Sequence, residues 1–207
     1  MFKRELVVNA FSLAARAYKG QMRKDGTSQL SHCVLVGLTL ADLGLDENTI
    51  AAGLLHEALR NNEGIRGQLE EFMPSEVVRM VRAVGMRLLH AEVADLRLPP
   101  SQVDRVTTIS EISSLYRNHR DEVGDEKLRR MMLAMEDVKA VLVKLACRVH
   151  NMKTISYLSL EKQRLFAQET LDIFAVVANR LGCWCLKVRG GRCGVREEIE
   201  PLYLLPS

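Results

Sequence analysis

The chain has 207 residues, 47% of them apolar and 27% charged, and its 29 Lys and Arg against 26 Asp and Glu leave a formal charge of only +3. That length fits one domain rather than two large ones, and so small a net charge excludes bulk attraction as a reason to assign a nucleic-acid or membrane partner. No window reaches the roughly 18 uninterrupted apolar residues of a membrane-spanning helix, and the five cysteines, odd in number and dispersed, read as reduced thiols rather than a disulfide framework.

Apolar residues recur at spacings of three and four, with no alternating strand pattern between hairpin turns, so the expected fold class is all-α. The N-terminus lacks the apolar run and cleavage site of a secretory signal and is patterned as a helix from its first turn. That first helix is expected from Phe2 to Lys19, with Leu6, Val7, Ala10, Phe11, Ala14, Ala17 and Tyr18 on one stripe and Gly20 as its stop. A polar loop with Gln21, Arg23, Lys24, Asp25 and Gly26 leads to a second helix, Ser31 to Leu43, ended by Gly44. The third starts behind Asp46 as N-cap and runs to Arg60, where Asn61, Asn62 and Gly64 break the pattern.

Ile65 to Phe72 reads as a short helix, and Pro74-Ser75 opens another that reaches about Ala83. Residues 85–102, with His90 and Pro99-Pro100, lose the periodicity and read as an insertion. Helical patterning resumes from Val103 to His119 and again from Glu126 to Met152, with a break near Asp137 where the apolar stripe changes phase. Glu161 to Leu181 is the last helix, and Gly182 follows it. The domain is therefore expected over residues 1–188, with 189–207 as a divergent, frayed tail. No repeat of 20 to 50 residues supports a solenoid.

Three elements distant in sequence each place a metal or phosphate ligand at the polar edge of an apolar helix. These are His32 near the start of the second helix, His56-Glu57 late in the third, and Cys147 with Asn151 in the long one. Neighbours on a helix lie about 100° apart, so His56 and Glu57 can both edge into one pocket, and residues four apart such as Cys147 and Asn151 share a face. The plainer readings are a capping role for His32, an inert buried thiol for Cys147, and solvent-facing roles for His90, His119 and His150. Cys183 and Cys185 with Cys193 fit no common zinc spacing, and Arg189, Arg192 and Arg196 form a basic patch in the tail.

The chain resembles the N-terminal HD-type hydrolase domain of the RelA/SpoT homologues. The resemblance is carried by Gly20-Gln21-Met22-Arg23-Lys24-Asp25-Gly26, Leu30-Ser31-His32-Cys33, Leu43-Gly44-Leu45-Asp46, Ala51-Ala52-Gly53-Leu54-Leu55-His56, the run from Lys144 to Thr154, and Ala178-Asn179-Arg180-Leu181-Gly182. It implies an HD-domain-like helical bundle that binds Mn²⁺ and removes the 3′-pyrophosphate of ppGpp and pppGpp. Its implied metal ligands fall on His32, His56, Glu57 and Cys147. Its basic pair at the guanine base falls on Arg23 and Lys24, and its nucleoside-pocket residues on Asn151 and Thr154.

Two of the four implied ligands depart from the family's pattern. Glu57 keeps the oxygen donor of an Asp with one methylene more, whereas Cys147 replaces a hard carboxylate by a thiol, which suits Zn²⁺ and disfavours Mn²⁺. The family's catalytic Glu-Asp pair is replaced by Arg60 and Asn61, neither of which can act as a carboxylate base. That exchange turns a local charge of about −2 into about +1, repelling a divalent cation and attracting phosphate.

The expected function is thus guanosine tetraphosphate metabolism by a degenerate Mn-dependent hydrolase domain, with a guanine nucleotide as partner. The alternative is a non-catalytic regulatory module of a GTP pyrophosphokinase whose synthetase domain lies outside this chain. The likeness is to plant-type members, which implies a chloroplast setting.

Overall fold

In the computed structural model, which describes residues 3–61, 64–85 and 137–183, three helices start on a side-chain cap legible in the sequence, at Ser28, Asp46 and Asp137. Helix α1 (Lys3–Ala17) buries Ala10, Leu13, Ala14 and Ala17, and Tyr18 just past its end is buried as well. Phe11, expected on that stripe, is 44% exposed: it lies about 100° around the helix from Ala10, at the margin of the arc that meets the core. After α1 the chain turns at Gly20 (φ +73°) and Gly26 (φ +81°), left-handed positions that glycine takes without a Cβ penalty.

Helix α2 (Gln29–Asp42) begins where the Ser28 hydroxyl accepts the N–H of Ser31 at 3.0 Å, and α3 (Glu47–Leu55) where Asp46 accepts that of Thr49 at 3.0 Å. α3 does not continue to Arg60 as expected. The Gly53 carbonyl takes the imidazole Nδ1–H of His56 at 2.7 Å, while the N–H of Glu57, which an unbroken helix would aim at that carbonyl, donates to Tyr18 Oη at 3.3 Å. The chain turns at His56-Glu57 and resumes as α4 (Ala58–Asn61).

Helices α5 (Ile65–Phe72) and α6 (Ser75–Gly85) follow. Helix α7 (Val138–Lys153) starts behind Asp137, whose carboxylate accepts the N–H groups of Lys139 and Ala140 at 3.1 and 3.2 Å. A 3₁₀ turn (Ile155–Tyr157) leads to α8 (Leu160–Glu169) and α9 (Val176–Arg180). The single last helix expected over Glu161 to Leu181 is instead divided by a π-helical segment, Thr170–Ala175. The expected insertion from residue 86 onward, the helix over Val103 to His119, the start of the Glu126 segment and the tail at 189–207 lie outside the described residues.

Helices α1 and α2 both pack on α3, and α7 lies against α2, α3 and α6. The α2–α3 crossing is made close by two glycines: a Cβ on Gly53 would meet Leu40 Cδ1 at 2.4 Å, and one on Gly37 would meet Leu54 Cδ2 at 3.1 Å. Among the described residues there is no strand, only the isolated bridge Met22–Ser28, and no helix long and apolar enough to cross a membrane.

Candidate functional site

The close α2–α3 crossing sets His32, in the first turn of α2, against His56 at the end of α3. Both imidazoles are buried, at 1% and 0% exposure, and His32 Nε2 lies 3.3 Å from His56 Nε2. Helix α7 supplies Cys147, also buried, with Sγ 3.5 Å from His32 Nε2. The donor atoms of His32, His56 and Cys147 all fall within 4.8 Å of one another, and among the described residues this is the one group of His, Cys, Asp or Glu so arranged.

The far nitrogens are occupied as well. His56 Nδ1 donates to the Gly53 carbonyl, which fixes a proton there and turns Nε2 toward the cluster. His32 Nδ1 lies 2.8 Å from Nδ1 of His150. His150, read from the sequence as solvent- or helix-facing, is half-buried in the site. The signal that could have found it is its spacing, since Cys147, His150 and Asn151 stand three and four apart on one face of α7. Burial, then the charges of His32, Arg23 and Lys153, hold its imidazole down at about 4. It is therefore neutral at pH 7, and its Nδ1 can accept a hydrogen bond from His32 when His32 carries its proton on Nδ1.

Burial by itself opposes charge on the cluster. At His56 the thiols of Cys33 and Cys147 outweigh it and push the imidazole well above its ordinary value. At Cys147 burial is outweighed by His56 and His32, which hold the thiol well below the usual range. Tyr18 is pushed up, chiefly by burial and then by Cys33 and Glu57. Its hydroxyl stays protonated, donating to the Leu54 carbonyl at 3.3 Å while accepting the Glu57 N–H.

Of the other sequence-predicted residues, Glu57 stands beside the cluster, with Oε1 3.9 Å from His56 Nε2. Arg23 reaches α7, where its Nη2 donates to Asn151 Oδ1 at 2.9 Å, and Asn151 Nδ2 in turn approaches Cys147 Sγ at 3.6 Å. The loop holds Arg23 in place: its N–H bonds the Thr27 carbonyl at 2.8 Å and its Nε pairs with Asp25 at 3.2 Å. Lys24 is exposed on the same loop, and Thr154 caps α7 with its hydroxyl donating to the Asn151 carbonyl at 3.4 Å. The side chains of Arg60 and Asn61 lie outside the described residues, as do Cys185 and Cys193, while Cys183 is half-buried with Sγ 3.7 Å from the Leu181 carbonyl.

Two imidazoles and a thiol could hold a divalent cation, but the set does not fit Mn²⁺, which prefers oxygen donors. What the arrangement offers chemically is a small buried cluster of nitrogen and sulfur donors, with a guanidinium anchored at its edge through Asn151.

The family model described as HD domain matches residues 10–184. Over 185 residues the chain is 40% identical to "Probable GTP diphosphokinase RSH2, chloroplastic" of Oryza sativa subsp. japonica, which covers 88% of this chain and 23% of that protein. It is 30% identical over 195 residues to "Bifunctional (p)ppGpp synthase/hydrolase SpoT" of Escherichia coli, covering 94% and 24%. A solved structure described as a metazoan ortholog of SpoT that hydrolyzes ppGpp superposes with a TM-score of 0.55 at 16% identity, covering 96% of this chain and 93% of that one. The chain thus shares that fold and spans about a quarter of the length of the curated relatives it matches.

Proposed function

The chain belongs to the HD domain family, and from that premise we propose that it is a degenerate (p)ppGpp 3′-pyrophosphohydrolase domain, one that binds guanosine tetraphosphate and turns it over weakly or not at all. The observation that carries this reading is Cys147: its thiol sits 3.5 Å from His32 Nε2, at the position where the resemblance implies a hard metal-binding carboxylate. Arg60 and Asn61 in place of an acidic pair act in the same direction, since neither can accept a proton from an attacking water at neutral pH.

The nucleotide side is better supplied. Arg23 offers a planar guanidinium, already oriented by Asp25 and Asn151, that suits stacking on a purine. Lys24 adds a second cation on the same loop, and Asn151 and Thr154 stand at the end of α7 next to it. In this proposal Glu57 remains beside the metal position as an oxygen donor, and Mn²⁺ is bound poorly. The plant relatives carry chloroplastic names, which supports a plastid setting as part of the same proposal.

The test is ppGpp binding by calorimetry beside pyrophosphate release with Mn²⁺. Binding without turnover is the expected result, and turnover at a rate typical of hydrolases would overturn it. The triple change Cys147→Asp, Arg60→Glu and Asn61→Asp is expected to raise turnover. A folded triple variant that binds ppGpp and stays inactive would show that these positions are wrongly assigned.

A second reading, a regulatory module beside a GTP pyrophosphokinase domain, is favoured by one observation: the matched segment is 23–24% of relatives named as GTP diphosphokinases. It predicts that the chain alters the activity of a synthetase domain added in trans.

A further inference from the structure

We propose that His32, His56 and Cys147 form a four-coordinate zinc site, with three protein ligands and the fourth position left for a water or a phosphate oxygen. The inference concerns the pocket assigned above but not the identity of its nucleotide, and its test uses metal alone.

Donor chemistry is the first support. A thiolate with two imidazoles is a soft-to-borderline set of the kind Zn²⁺ takes, and it lacks the oxygen ligands that would favour Mn²⁺ or Mg²⁺. Geometry is the second. Tetrahedral Zn²⁺ with Zn–N of about 2.0–2.1 Å and Zn–S of about 2.3 Å places its two nitrogens about 3.3–3.4 Å apart, and a nitrogen and the sulfur about 3.5–3.6 Å apart. The structure has His32 Nε2 and His56 Nε2 at 3.3 Å and His32 Nε2 and Cys147 Sγ at 3.5 Å, two edges of such a tetrahedron. Glu57 Oε1, 3.9 Å from His56 Nε2, is farther than an edge and stands outside the set.

Preorganisation is the third support. Metal-bound histidines pass their second N–H to a carbonyl, carboxylate or other acceptor, which sets the tautomer and aims the ligating nitrogen. His56 does so through Gly53 O at 2.7 Å, and His32 Nδ1 has a partner able to serve in His150 Nδ1 at 2.8 Å, so both Nε2 atoms are turned toward the cluster. All three ligands are buried on three different helical elements that the core already holds together. No large rearrangement is needed to close the site.

The experiment is cobalt titration of the chelator-stripped chain. At one equivalent, Co²⁺ is expected to give a near-ultraviolet thiolate-to-cobalt charge-transfer band together with the intense visible bands of a four-coordinate ion. One equivalent of Zn²⁺ should bleach both, whereas Mn²⁺ should leave them in place even at roughly 100-fold excess. Cys147→Ala should abolish the charge-transfer band, and His150→Ala should keep it while weakening metal affinity about 10–100-fold.

A folded wild-type chain with only the weak spectrum of six-coordinate cobalt would overturn the proposal, as would displacement by equimolar Mn²⁺ or a band that survives Cys147→Ala. If the alanine variant loses its helical circular dichroism, the wild-type titration decides alone. Failure of ppGpp binding with the cobalt band present would remove the nucleotide reading and leave the zinc site standing, and the converse result would do the reverse.

Discussion

Replacing Arg148 by leucine leaves the Glu169 carboxylate buried without the cation that faces it. The two side chains are 8% and 0% exposed, and the guanidinium meets the carboxylate at two points, Nη1 to Oε2 at 3.2 Å and Nη2 to Oε1 at 3.0 Å. Its carbon also lies 3.9 Å from the ring centroids of both Phe166 and Phe174, a sandwich that excludes water. Removing one partner of a buried pair costs about 3–5 kcal/mol, and at about 2–4 °C per kcal/mol for a chain of this size that lowers Tm by roughly 6–20 °C. Urea unfolding followed by circular dichroism measures the difference directly. Arg148→Lys, which keeps the charge but not the planar fork, should fall between wild type and leucine. The double variant Arg148→Leu with Glu169→Leu should recover most of the loss, because an apolar pair leaves no charge stranded. A single variant within about 1 kcal/mol of wild type, or a double variant no better than the single, would refute this account of the contact.

Gly53→Ala gains about 1 kcal/mol of helix propensity but drives a Cβ to 2.4 Å from Leu40 Cδ1, an overpacking worth about 1–3 kcal/mol; net destabilisation in urea is expected, and the same change should cost less in a chain that already carries Leu40→Ala. Tyr18→Phe removes the hydroxyl that ties Leu54 O to the Glu57 N–H and should cost about 1–2 kcal/mol in the same assay. Asp25 has its carboxyl held far below the usual range: burial opposes this, but the Thr27 hydroxyl and N–H and then Arg23 outweigh it. A depressed folded value means stability that is fully present above the unfolded value of about 3.9 and is lost as pH falls below it. Asp25→Asn should therefore flatten the acid limb of a Tm-against-pH curve. Asn151→Ala should weaken ppGpp binding about tenfold with little change in Tm, because it releases Arg23.

The fold class was legible because period-three and period-four patterning and the caps at Ser28 and Asp46 are local signals that the core reinforces. What periodicity does not carry is the fate of individual carbonyls. The turn at His56-Glu57 arises because an imidazole and a tyrosine from another helix capture the Gly53 carbonyl and the Glu57 N–H, and no helix template contains that competition. The π segment after Glu169 likewise begins where the Arg148 pair is anchored, a long-range contact invisible to local pattern. Periodicity sets the centre of the apolar stripe on α1 but not its width, and Phe11 lies at its margin. A histidine on an amphipathic helix is more often exposed, and only the spacing of His150 from Cys147 marks it as facing the site. For Arg60 and Asn61 the residue identities carry the reading, from the sequence alone.

A single amide joins the two halves of the site. Asn151 accepts from Arg23 at 2.9 Å with its oxygen and approaches Cys147 Sγ at 3.6 Å with its nitrogen, so the guanidinium offered to a base and the sulfur offered to a metal contact the same side chain. A change at 147 is therefore felt at Arg23 through Asn151 even without moving a helix. An aspartate there would present an acceptor to Asn151 Nδ2 as a thiolate does, only harder and shorter. Thus the exchange of oxygen for sulfur preserves the hydrogen-bond polarity that orients Arg23 while changing the class of ion the pocket prefers. Under the proposed function, that asymmetry lets nucleotide contacts coexist with a metal position whose donors are soft. The first depends on which group donates to which, and the second on the hardness of one atom.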